Sequence, residues 1–551
     1  MSATHEVTNQ VPPLLGHDVA EDPALLEALR REGGGHAEGA LRELGRFAGT
    51  ERAEELGRLA NVHRPVLHTH DRYGYRIDEV EYHPAWHDLM GRAVAGGLHA
   101  APWRDGAGAA AHVVRAAAFY VTSQVEAGHC CPISMTYAVV PALRHNPELA
   151  RRYEPLLASE HYEPGLRPPL GKRGLVAGMS MTEKQGGSDV RANSTRAEPV
   201  GDEAGAYRIT GHKWFTSAPM SDVFLCLAQA PGGLSCFLVP RVLPDGARNG
   251  VRLMRLKDKL GNHSNASAEV EYEGAVGWLV GEEGRGVRTI VEMVNLTRMD
   301  CVLVAAAGMR LGTTRAVHHA VHRRAFGARL VDAPLMRNVL ADLAVEAEAA
   351  TVLAMRLAGA TDRAVAGDAG EEALRRLALP VAKYWVCKRA PAHAAEALEC
   401  LGGNGYVEDS GMPRLYREAP VTSVWEGSGN VTALDGLRAM AREPESVEAV
   451  LTEVDAAAGA DRRLDAAARR LRVELGRREG LEARARRVAQ AVVLALQGSL
   501  LVRFGHPAVA DAFCGSRLED GVVGYAFGTL GESVATDVLI ERARPVVPAA
   551  G

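Results

Sequence analysis

Along the first 170 or so residues, apolar positions recur at the three- and four-residue spacing of amphipathic helices. Residues 107–128 are Ala-rich and keep that spacing throughout. Gly33, Gly34 and Gly35 mark a loop. Pro164, Pro168, Pro169 and Gly171 form a connector that a helix cannot easily cross. From about residue 175 to 280 the period changes. Short apolar runs, punctuated by Gly, Ser, Thr and Pro, predict strands over 224–228 and 236–239, and the alternation at 268–272 predicts another. This region reads as a small antiparallel barrel or sandwich. Helical period returns near Gly284, with long Ala/Leu/Val-rich helices across 298–359 and another over 371–401. Gly402, Gly403, Asn404 and Gly405 make a sharp break. Glu443 and Pro444 close this block, and a further helical segment follows. The order α, β, α, then α tail predicts segregated layers rather than alternating βαβ units.

The 551 residues are 47% hydrophobic and 24% charged, enough for several packed cores. Net charge is −5, so any nucleic-acid surface must come from local clustering of basic residues. The N-terminal stretch lacks the basic leader and apolar core of a signal peptide. The late apolar run 491–502 is interrupted by Gln497, Gly498 and Ser499, and reads as too short and too polar for the roughly 20 residues of a membrane span. The eight cysteines form no CxxC pair, and Cys130 and Cys131 are adjacent. Reduced, buried thiols in a soluble cytoplasmic protein are the expectation.

Four segments carry candidate chemistry. In the first, Met181 to Val190, two glycines (Gly186, Gly187) let backbone approach a flat or anionic ligand, and Thr182 and Ser188 add hydroxyls. Alone, it is more simply a turn between strands. In the second, Trp214 and Thr216 on one strand could offer an aromatic wall and a hydroxyl to a ring system, or Trp214 could be plain core. In the third, Arg323 could neutralise a pyrophosphate while Phe326 contacts a ring. The plainer reading is a helix end, where cations favour the dipole and Gly327 stops the helix. In the fourth, glycines flank the single carboxylate Glu426, which suggests a turn facing a cleft, although a lone Glu is usually solvated.

Taken together, the order and character of these segments resemble the acyl-CoA dehydrogenase family over roughly residues 80 to 440. The resemblance implies an α+β multidomain fold. Its parts would be an N-terminal helical domain (1–172), a middle antiparallel β-barrel (173–284), a C-terminal four-helix flavin-binding domain (285–442) and an extra helical tail (443–551). It implies FAD lying between barrel and helices and reaching a neighbouring subunit of a homotetramer. By motif, Thr182, Gly187, Ser188, Trp214 and Thr216 would hold the flavin ring and pyrophosphate, with backbone contacts from Met181. Arg323 and Phe326 match the cofactor's ADP-binding positions. Gly402 and Gly403 match the glycines that receive the partner's FAD, and Ser428 and Asn430 follow the catalytic glutamate. Glu426 would remove the α-proton of an acyl-CoA substrate, with flavin taking the β-hydrogen as hydride. Arg298 resembles a substrate-side arginine, but an ion pair with Glu292 or Asp300 explains it as well. Lys184 after Thr182 and Glu183, where most members have Pro, points to a branch associated with DNA binding through the tail and with protection against alkylation. The implied function is a weak or restricted dehydrogenase that binds duplex DNA. The alternatives are an efficient metabolic dehydrogenase and a non-catalytic flavoprotein that shields DNA.

The tail bears on that choice. Residues 462–487 hold ten Arg against four acids. Arg462, Arg469, Arg477 and Arg484 are spaced 7, 8 and 7 apart, so one continuous helix would align them, with Arg470 and Arg478 beside them, as a ridge for phosphates. A solvated or ion-paired helix face is the plainer reading. No metal site is expected: His318 with His322, and His68, His70 and Asp71, lack a full ligand set in sequence.

Overall fold

The computed structural model describes residues 4–201, 205–477, 479–519 and 526–547. Its contacts divide into two compact units, each assembled from separated stretches of chain: Met1–Glu54, Ala109–Val125 and Arg298–Gly551 in one, Glu55–Gly108 and Glu126–Thr297 in the other. These units cut across the four consecutive segments expected from sequence.

The second unit contains the β structure. An antiparallel hairpin, β1 (Val66–His70) and β2 (Arg76–Glu81), interrupts the N-terminal region that the sequence pattern reads as mostly helical. Five residues separate its strands, and alternating half-buried positions are too few to stand out against the helical background. The main sheet has seven strands: β3 (Ala177–Thr182), β4 (Arg196–Pro199), β5 (Ala206–Ser217), β6 (Val223–Ala230), β7 (Gly233–Pro240), β8 (Val251–Leu256) and β9 (Ser267–Val280). Pairings β5–β4, β4–β6, β6–β7, β7–β9 and β9–β5 close a ring, so the region is a barrel. It is not wholly antiparallel as expected, because β3–β6 and β4–β6 run parallel. Strand direction is a property of the chain path between strands, which hydropathy does not record. Ile209, Phe237, Val239, Leu253 and Tyr272 fill the barrel core.

The first unit is helical. Its long members are Gly286–His322, whose first residues belong to the second unit, Pro334–Val365 and Ala369–Glu399. The tail is no appendage to this unit. Helix Ala485–Phe504 buries Val488, Val492, Val493, Leu496 and Leu500. Arg356 and Arg503 both pair with Glu453, and Arg517 pairs with Asp342 and Glu346, so largely buried ion pairs knit the tail to the central helices. With its preceding turn this tail helix spans Glu482–Phe504, and by length and composition alone that stretch could cross a membrane. The expectation of too short a run is therefore corrected. Burial of 61% of its apolar window is what a core helix shows. All eight cysteines are buried and none is in a disulfide.

The short two-residue strands β10 (Arg324–Ala325) and β11 (Ala328–Arg329) follow helix Gly286–His322. Phe326 and Gly327 form the hairpin tip, both at positive φ, and Phe326 is wholly exposed.

Candidate functional site

In the barrel unit, β3 ends in a loop whose base is a buried ion pair. Lys213 Nζ lies 2.8 Å from Glu183 Oε1, and both side chains are fully buried. Glu183 also accepts from Gln185 Nε2 (2.7 Å), Ser194 N (2.7 Å), Ser194 Oγ (2.9 Å) and Thr195 N (3.1 Å). Burial alone would push its carboxyl up. The Lys213 ammonium and these donors outweigh burial and hold it well below the usual range. Gly186 has φ +143, and a Cβ on Gly187 would sit 2.4 Å from Thr182 Oγ1, so the loop folds back on Thr182 only because both residues are glycine. Thr182 and Met181 are half-buried and Ser188 is exposed. These hydroxyls and turn amides therefore remain available to a ligand.

Trp214 is half-buried on β5, with Lys257 Nζ 3.1 Å from its ring centroid and Lys257 itself paired to Glu269 at 2.6 Å. Thr216 is buried, and its hydroxyl meets Ser180 Oγ at 2.7 Å. It thus supports the strand from inside rather than presenting a free hydroxyl. A second buried carboxylate, Glu126, was not singled out from sequence. It gathers Asn61, the amides of Gly128 and His129, the His129 ring and Ser264. Burial pushes Glu126 up, but hydrogen bonds from His129 and Ser264 bring it far below its ordinary value. A lone Glu gives no sign of five donors, two of them from the distant Asn61 and Ser264.

In the helical unit the centre of interest is the turn Trp425–Glu426–Gly427. Glu426 is half-buried with φ +55, a left-handed conformation that non-glycine residues rarely adopt. Gly427 follows at φ +100. Arg298 Nε donates to the Glu426 carbonyl at 3.0 Å, and its Nη1 pairs with Asp435 at 2.6 Å. The partner is therefore neither Glu292 nor Asp300. Asp300 instead pairs with the buried Arg115. Lys383 donates to the carbonyls of Trp425 (2.8 Å) and Gly427. Burial pushes the Cys301 thiol well above its ordinary value, with Lys383, Cys387 and Glu426 among the groups acting on it.

The remaining candidates scatter. Ser428 is exposed and precedes helix Gly429–Arg442, whose first residue packs against Lys388. Asn430 is exposed, and its Oδ1 accepts from the tail's Arg486 at 2.8 Å, so its amide is already partly used. Gly402 and Gly403 are exposed, and a Cβ on either would meet nothing within 4 Å, which leaves room for a close approach. Arg323 directly follows the end of helix Gly286–His322, as the plainer reading expects, and donates to the Asn9 carbonyl at 2.5 Å, while the helix stops at His322, before the Gly327 expected to end it.

The arginine ridge does not form. Helix Arg462–Gly476 ends before Arg477, which is extended, and Gly480 has φ +61. Arg484 lies past this break and pairs with Glu474. The two glycines, Gly476 and Gly480, stop the helix that the spacing assumes. Arg462 and Arg469 remain exposed on one stripe and form no ion pair among the described residues. Arg470 donates to the Leu518 carbonyl, and Arg478 lies outside the described residues. His318 Nε2 donates to the Pro12 carbonyl at 2.8 Å, and His68 pairs with Glu81. Among the described residues no group of three metal-binding side chains gathers.

Within the barrel unit the donor set fits FAD: a half-exposed indole, hydroxyls at 182 and 188, and a glycine-built loop that admits close backbone approach. Comparison with known proteins agrees. Residues 9–164 match the model for the N-terminal domain of the adaptive response protein AidB. Residues 178–275 match the acyl-CoA dehydrogenase middle domain, and 284–441 match the C-terminal domain. The chain is 46% identical over 541 residues to AidB of Escherichia coli (strain K12), covering 98% of each. It is 33% identical to acyl-CoA dehydrogenase family member 11 of Caenorhabditis elegans, over 78% of this chain and 72% of that one. The solved structure of ACDH-11 from Caenorhabditis elegans, in complex with C11-CoA, superposes with a TM-score of 0.84 at 27% identity, covering 94% of each chain.

Proposed function

The chain belongs to the acyl-CoA dehydrogenase family, and from that premise we propose that it is an FAD-dependent oxidoreductase acting on acyl-CoA thioesters, with Glu426 as the base. The observation that carries this reading is the Glu426 turn: a non-glycine residue held left-handed by two buried cations, Arg298 on its own carbonyl and Lys383 on the two flanking ones. Such strain persists where the surroundings over-determine it, and it concentrates at functional sites. FAD, when bound, supplies the two-electron acceptor. Met181, Thr182, Gly187 and Ser188 would hold its ring and pyrophosphate edge, with Trp214 as a wall. Glu426 takes the substrate's α-proton as the general base. Occupancy of a homologue by C11-CoA supports an acyl-CoA as the substrate class. In Glu426→Gln, acyl-CoA should bind without lowering flavin absorbance. Full loss of absorbance in that variant would remove Glu426 from the role.

The finer reading adds duplex DNA as a partner and a role in the response to DNA alkylation. Whole-length similarity to AidB of Escherichia coli supports it, as do the exposed Arg462 and Arg469, seven residues apart on one helix. With the ridge reduced to two aligned arginines, contact is to backbone phosphate and is weak in sequence preference. Replacing both with Ala should lower the slope of log affinity against log salt by about 2. An unchanged slope would exclude this surface. A homotetramer belongs to the same proposal, with the exposed Phe326 tip and the open Gly402 and Gly403 as the surfaces that receive a partner's cofactor. So does a cytoplasmic setting, which suits eight cysteines outside any disulfide.

A further inference from the structure

We propose that Lys383 is a positioning residue for this reaction: its ammonium, seated against the carbonyls of Trp425 and Gly427, sets the left-handed conformation from which Glu426 projects its carboxylate. The proposal rests on the reading of Glu426 as the base.

Lysine is almost never fully buried unless paired, yet Lys383 is only 1% exposed on helix Ala369–Glu399. It forms no ion pair among the described residues. Its charge is given instead to two main-chain carbonyls of a single turn, one on each side of Glu426. Arg298 holds the carbonyl between them. Three consecutive carbonyls are thus fixed by two buried cations. The peptide planes on both sides of Glu426 and Gly427 therefore cannot rotate independently. A plain structural link between two helices would need only one such contact and no left-handed residue. Gly427 is part of the device: with φ +100, a Cβ there would lie 3.3 Å from Val431 and Thr432 and 3.5 Å from Arg298, so the residue after the base must lack a side chain for the turn to close.

Charge-assisted bonds to carbonyls are the strong kind. Removing the ammonium leaves the Trp425 and Gly427 carbonyls short of a buried donor, and the turn is then free to relax toward ordinary backbone angles. Misplacement of a base by about 1 Å can cost on the order of a hundredfold in rate.

The test uses flavin-loaded full-length protein, with Lys383→Met and Lys383→Gln, the second retaining one donor and guarding against a misfolded first variant. Hydrogen exchange of the peptide over residues 421–430 should speed at least tenfold in Lys383→Met and less in Lys383→Gln, while peptides from the barrel unit keep their protection. Anaerobic mixing with undecanoyl-CoA should show flavin absorbance falling on the order of a hundredfold more slowly, with the acyl-CoA dissociation constant changed less than threefold. Unchanged exchange over 421–430 in Lys383→Met would overturn the proposal, and so would an unchanged rate of flavin bleaching in that variant. If the unmodified protein bleached with no acyl-CoA, the base reading would fall, and the exchange measurement would still decide whether Lys383 holds the turn.

Discussion

Consider Lys213→Met, which removes the cation beneath the Glu183 loop. The pair is fully buried, and the ammonium also donates to the Leu227 carbonyl at 2.6 Å. Deleting one partner of a buried pair strands the other charge and costs about 3–5 kcal/mol. Four donors to Glu183 survive the change, which argues for the lower end, about 3 kcal/mol. The pH dependence gives a sharper signature. In the native protein the Glu183 carboxyl lies below its unfolded value of 4.5. Its contribution to stability is therefore present above about pH 4.5 and lost as pH falls toward the folded value. Without Lys213, burial becomes the dominant influence and raises the carboxyl. The variant should then be weakest at pH 7 and recover part of its deficit as pH drops toward 5, the reverse of the parent. Urea unfolding followed by tryptophan fluorescence at pH 7 and pH 5 measures both. The double variant Glu183→Gln with Lys213→Met should regain at least half the loss, since no unpaired charge remains. Because Glu183 anchors the loop carrying Thr182 and Ser188, flavin should also elute from the single variant during gel filtration. A deficit below about 1 kcal/mol, or one that does not shrink on acidification, would refute the reasoning.

Other outcomes follow from single contacts. Gly187→Ala places a carbon 2.4 Å from Thr182 Oγ1, so the loop must open, and the purified protein should be paler than the parent at equal protein concentration. Glu126→Ala strips a shared acceptor from five donors and should cost about 3 kcal/mol, read as a lower urea midpoint. His393 is fully buried, and burial pushes its imidazole down to about 4 from 6.5. The unfolded chain takes up that proton first, so stability should fall between pH 6.5 and 4 by up to about 3 kcal/mol from this residue. His393→Gln should flatten the profile in that window, and an unaltered profile would show that the imidazole is not held neutral.

Helical stretches, the barrel segment and the Gly402–Gly403 break are legible in one dimension, because each is written as a local period or a breaker. Glu426 was also findable, since glycines crowd it in sequence. What sequence could not carry is partnership at long range. Lys383 lies 43 residues before Glu426 and Arg298 lies 128 before it, and nothing local marks either as a grip on that turn. The parallel pairings of β6, the five donors around Glu126 and the tail's seat among the central helices depend on chain path in the same way. The arginine ridge failed for the opposite reason. Spacing of 7, 8 and 7 assumes an unbroken helix, and two glycines end it. Local pattern determines which element a residue enters and which face it prefers. Burial, strain and charge pairing are set by what the rest of the chain brings alongside, and only the packed structure decides that.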